Sequence, residues 1–156
     1  MEKSVVNASW DVEYIRRSTF PAFRKRLVNA QTEQTVWEHR TVQLNPSERT
    51  YRSPTYDSQL SLYRCWGFHL SYHAFIWDET SYIWRRQAKH GISYKCHDEH
   101  TNLVVADFKW CYDATILGRL KVSSSVDHIP GLREFLIFTA IDLVEISQYD
   151  PSEITF

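Results

Sequence analysis

A chain of 156 residues with 43% hydrophobic residues, six Trp, nine Tyr and eight Phe has enough apolar material for a core without staples, which excludes a disordered or fibrous protein. Its formal net charge of −1 supplies no overall field for nucleic acid or membrane, so such a partner would have to be met by a local patch. Charge is nonetheless uneven: residues 1–30 carry six basic groups against three acidic ones, and residues 127–156 carry one against six.

The first thirty residues show no clean period and are interrupted by Pro21, which predicts a basic arm or an irregular first strand ahead of a domain spanning 31–156. Within them Arg16, Arg17, Arg24, Lys25 and Arg26 are interleaved with Tyr14, Phe20 and Phe23. That mixture suits an anionic bilayer, where cations are attracted to the surface and aromatics sit at headgroup depth. It equally suits nucleic-acid phosphates or an edge strand guarded by charge.

From Thr35 the period becomes two. Val36, Glu38, Arg40, Val42 and Leu44 alternate with Trp37, His39, Thr41 and Gln43, as a strand does. Asn45-Pro46-Ser47 and Ser53-Pro54-Thr55 are breakers and predict an exposed loop over 45–58. Further strands are expected at Leu60–Trp66, Phe68–Trp77, Ser81–Gln87, Ile92–Cys96, Leu103–Trp110 and Thr115–Val122, with turns at Asp78-Glu79 and His90-Gly91. Seven or eight short strands at hairpin spacing form an antiparallel meander. The last stretch, 130–148, is different. Leu132, Phe135, Leu136, Phe138, Ile141 and Leu143 belong to a helix whose polar strip of Arg133, Glu134, Asp142 and Glu145 is narrow, as in a helix enclosed by protein. Pro130 suits its first turn. The expected fold is all-β with one helix, a closed antiparallel barrel enclosing that hydrophobic C-terminal helix, which would also cover the sheet's edges.

The order Tyr82-Ile83-Trp84, Tyr94-Lys95-Cys96, Val104-Val105-Ala106-Asp107-Phe108, Gly118-Arg119-Leu120-Lys121-Val122 and Leu136-Ile137-Phe138-Thr139-Ala140 resembles the tubby C-terminal-like superfamily, particularly small fungal tubby-like domains. The superfamily also includes LURP-one-related proteins and scramblases. The resemblance implies a twelve-stranded barrel threaded by a hydrophobic helix, with the uncounted strands in 1–35 and 45–58. It also implies phosphoinositide binding through basic strand residues. No tubby lipid motif maps onto this chain residue by residue; Arg85-Arg86 and Lys89 are basic residues near a strand end and no more.

Chemistry-bearing clusters are few. His69 and His73, four apart on a strand, stand about 13 Å apart, too far to share a metal. Cys96-His97-Asp98-Glu99-His100 falls where a polar turn is expected. Cys65, Cys96 and Cys111 have neither disulfide-framework nor zinc spacing and read as reduced strand thiols. There is no nucleophile elbow, and four glycines are too few for a phosphate loop. No metal, cofactor or catalytic residue is therefore expected. Asp142 and Glu145 need solvent or a basic partner such as Arg119, because an unpaired buried carboxylate is costly. Met1-Glu2-Lys3-Ser4 lacks a signal-peptide run, and Glu2 excludes myristoylation.

The expectation is a non-enzymatic binding module for anionic membrane lipids, using Arg16, Arg17, Phe20, Phe23, Arg24, Lys25 and Arg26. It would be cytoplasmic, or peripheral to a membrane, or nuclear, with no DNA-specific binding. The alternatives are a protein-interaction scaffold with no lipid role, and a ligand carrier or enzyme with a pocket near His69 and His73. Headgroup, protein partner and oligomeric state stay open.

Overall fold

The computed structural model describes residues 3–5, 10–16, 23–29, 31–40, 48–66, 71–87, 93–110 and 118–149. Eleven strands lead to one helix: β1 (Lys3–Val5), β2 (Trp10–Arg16), β3 (Phe23–Asn29), β4 (Thr35–Arg40), β5 (Glu48–Ser53), β6 (Ser58–Trp66), β7 (Ser71–Trp77), β8 (Thr80–Arg86), β9 (Ser93–Asp98), β10 (Val104–Trp110), β11 (Gly118–Ser123) and α1 (Leu132–Tyr149). From β2 to β11 each strand pairs antiparallel with the next in sequence, and β1 pairs with β11, so the sheet runs β1-β11-β10 and onward to β2.

That order forces the sheet to curl. β1 and β2 are its two edges, yet Val5 and Trp10 are five residues apart. Laid flat, ten strand spacings would separate these edges by roughly 48 Å. Five residues reach about 18 Å at most. The edges therefore approach one another, but among the described residues no ladder joins β1 to β2. The closed barrel expected from the pattern is thus reduced to a curled antiparallel sheet that hydrogen bonds do not close.

α1 occupies the hollow of that curl. Leu132, Phe135, Leu136, Phe138, Ala140 and Leu143 are wholly buried, and Ile137 and Val144 are buried with a small part of their surface exposed. Ile141, expected in the same set, is only partly buried and packs at the margin of the core beside the polar strip. Strands on several sides hold the helix. Trp37 of β4 donates its indole N–H to Gly131 O (3.2 Å), Trp84 of β8 donates to Thr139 Oγ1 (3.1 Å) and Tyr94 of β9 donates to Leu143 O (3.3 Å). Phe135 sits among Trp37, Tyr51, Phe75 and Trp77, with ring centroids 4.9 to 6.1 Å away.

The local chemistry of the turns is direct. Asp78 and Glu79 both take positive φ (45° and 65°), the signature of a two-residue I′ hairpin between β7 and β8. Helix α1 starts at Leu132, two residues later than Pro130 suggested, because Gly131 lies at φ 83°. A Cβ there would stand 2.9 Å from the Tyr56 ring and 3.1 Å from Trp77. Gly131→Ala should therefore destabilise the fold by roughly 1–3 kcal/mol. Chemical denaturation should show this as a lowered midpoint with an unchanged slope.

Two segments differ from what periodicity and breakers alone predict, and both lie within 1–35 and 45–58, where uncounted strands were expected. The first thirty residues hold three strands, β1 to β3, in place of an arm or one irregular strand. β5 lies inside the stretch 45–58 that its breakers had marked as loop; Pro54 falls in the turn just after it.

Candidate functional site

The residues proposed as a basic arm are built into the sheet. Arg16 is in β2, and Phe23, Arg24, Lys25 and Arg26 are in β3; Arg17 and Phe20 lie outside the described residues. Arg26 is half-buried. Lys25 is 3% exposed, so it cannot touch a lipid. The period-two alternation explains why: Lys25 and Leu27 share the inner face of β3, and the ammonium meets the helix.

Lys25 starts a polar row across the inner face. It is the register partner of His39 on β4, and His39 is the partner of Tyr51 on β5. Asp142 of α1 closes the row from above. Its Oδ1 accepts from Lys25 Nζ and its Oδ2 from the Tyr51 hydroxyl, while Arg49 Nη1 lies 3.4 Å from Oδ2. Tyr51 stacks on His39 at 4.9 Å. Burial, then Arg49, bring Lys25 down to about 7. Burial is also the largest cause of His39 falling to about 4 and of the Tyr51 phenol rising. The row is a structural core of buried charge. Arg119, the partner suggested for Asp142, is exposed on the opposite face of the sheet at β11.

That outer face carries a second cluster. Register pairs Arg85 with Lys95, Lys95 with Asp107, Asp107 with Lys121, and Lys109 with Arg119 across β8 to β11. Arg85, Lys109, Arg119 and Lys121 are exposed and Lys95 is half-buried. Two like-charged pairs thus stand directly opposite on adjacent strands, an arrangement that costs stability unless an anion screens it. His97, beside them on β9, is held below its ordinary value by burial and then by Arg85 and Lys95. Next to this ladder, the Arg85 guanidinium lies over Tyr72 at 5.6 Å; farther along β6 and β7, Tyr63 and Ile76 are 46% and 59% exposed.

The other candidates have plain structural roles. Asp98 Oδ1 accepts from the backbone N–H of His100 (2.9 Å) and Thr101 (3.1 Å), so the Cys96–His100 stretch ends in a hairpin turn. Among the described residues no group of three His, Cys, Asp or Glu could hold a metal ion. Cys65 and Cys96 are free thiols, and burial followed by Asp98 pushes the Cys96 thiol well above its usual value. Cys111 and His69 lie outside the described residues; His73 is buried opposite Trp84. Among the described residues no helix is long and apolar enough to cross a membrane.

No family model, curated protein or solved structure matches this chain. Sequence reasoning passed over the ladder because its cations are spread over residues 85–121. Only antiparallel register gathers them, whereas the run Arg24-Lys25-Arg26 looks dense in sequence yet Lys25 turns inward and Arg26 outward.

Proposed function

We propose that the chain is a non-enzymatic, tubby-like binding module that engages anionic membrane surfaces through the outer face of β8 to β11, its sheet wrapping α1 as a barrel does. The supporting observation is the ladder Arg85, Lys95, Lys109, Arg119 and Lys121 around the single carboxylate Asp107. Each cation near an anionic bilayer contributes about 1 kcal/mol. The outer face of a sheet curled round a helix is convex, which suits a broad flat surface better than it suits a peptide or nucleic-acid strand seeking a groove. Tyr72 lies beside Arg85, and Tyr63 and Ile76 are exposed farther along β6 and β7, where aromatic and aliphatic groups can enter the headgroup layer. The interior, filled by α1, leaves recognition to the outside.

Co-sedimentation with phosphatidylcholine vesicles, with and without phosphatidylserine or phosphoinositide, tests this. Binding is expected only to the anionic vesicles and should fade as salt shortens the screening length to about 8 Å. Changing the five cations to Gln should weaken it by roughly a hundredfold or more while the melting transition stays cooperative. Changing Arg16, Arg17 and Arg24 instead should leave most of the binding. A wild type that ignores anionic vesicles at low salt overturns the proposal in favour of a protein-interaction scaffold.

A further inference from the structure

We propose that the buried row beneath Asp142 is an acid-sensitive latch: it seats the C-terminal half of α1 against β3 to β5 at neutral pH and releases it as the medium is acidified.

The geometry of His39 carries the argument. Its Nδ1 lies 3.0 Å from the Thr50 carbonyl oxygen, which can only accept, so Nδ1 holds the ring proton. Nε2 is then a bare acceptor, enclosed by protein and without a hydrogen-bond partner. A second proton arriving at Nε2 finds no acceptor. It also places a new cation in a row that already holds Lys25 from β3 and Arg49 from β5. Asp142 of α1 is the one carboxylate among the described groups facing the row, and both its oxygens are engaged. Glu38, the other acid on β4, pairs in register with Arg26 and Arg52 on the opposite face of the sheet. On the flanks, the row continues in register to Tyr14 of β2 and Leu60 of β6, neither of which supplies a carboxylate. Uncompensated charge must therefore be relieved by exposing the row to water. The piece that covers it is the helix segment bearing Phe138 and Asp142.

The direction follows from proton counting. His39 and Lys25 both lie below their ordinary values, so the folded state holds fewer protons than the unfolded chain and stability rises with pH. For His39 the loss runs from pH 6.5 down to about 4; for Lys25 it runs from 10.5 down to about 7. The His39 window makes the latch respond to acidification below neutrality, which is the usual range of imidazole switches.

Hydrogen exchange of amides 138–144, corrected for the intrinsic rate, tests the latch in the full chain. Going from pH 7.5 to 5 should reduce their protection roughly thirtyfold through His39 alone. His39→Phe keeps a ring over Tyr51 but cannot take a proton, and should confine the loss to about fivefold, the part due to Lys25. Protection that does not change with pH in the wild type, or an equal loss in His39→Phe, overturns the proposal. Should that variant fail to fold, the imidazole titration of His39 in the wild type decides. A value below about 5 supports the latch, and one near 6.5 overturns it. Vesicle binding enters neither readout.

Discussion

Phe135→Ala should cost about 3–5 kcal/mol, a large share of the roughly 5–15 kcal/mol that holds an ordinary domain folded. Phe135 is wholly buried where α1 faces four aromatic side chains from three strands: Trp37, Tyr51, Phe75 and Trp77. Removing its ring takes the shared partner from all of them. The Trp37 indole and the Tyr51 phenol are already held by bonds to Gly131 and Asp142, so these two cannot collapse freely into the space. Ile141→Ala, on the same helix but only partly buried, should cost about 1 kcal/mol. Urea unfolding of the two variants checks the contrast; equal losses would mean that α1 lies on the sheet without being enclosed by it.

Asp142→Ala should be as damaging, by about 3–5 kcal/mol, for a different reason. It leaves the Lys25 ammonium buried beside Arg49 with no carboxylate between them, and it strands the Tyr51 hydroxyl. Replacing both partners, Lys25→Met with Asp142→Leu, removes the charge along with its counter-charge. Buried ion pairs exchanged for apolar residues of similar size are often neutral to stability. The double variant should therefore recover most of what the single one loses. A double variant as unstable as Asp142→Ala would show that the row stabilises by more than charge balance.

Both predictions rest on features that the sequence showed unequally. α1 was legible because its apolar residues run nearly all round, a pattern that needs no partner to interpret. The strands from 58 to 110 were legible because inward residues such as Trp84, Tyr94, Cys96 and Phe108 are flanked by Arg85, Lys95, Asp107 and Lys109 on the outer face. β5 was hidden. Its inner positions are Arg49, Tyr51 and Ser53, which make no hydrophobic alternation. Arg49 and Tyr51 are accommodated because Asp142 arrives from the far end of the chain, and nothing within β5 announces it. Lys25 was misread for the same reason, since its partner is 117 residues away. The need of Asp142 for a basic partner was visible in the sequence; the choice of Lys25 over Arg119 depends on which face each strand turns inward. The curl itself follows from pairing β1 with β11, a contact that no local pattern reveals.

Lysine acetylation read by mass spectrometry, with and without phosphatidylserine vesicles, tests the central claim most directly. Lys95, Lys109 and Lys121 should react in the free protein and be shielded when vesicles are bound, whereas Lys25, sealed against Asp142, should stay unreacted in both states. Reactivity of those three lysines that vesicles leave unchanged, while the protein demonstrably co-sediments, would contradict the account and move the membrane contact elsewhere on the molecule.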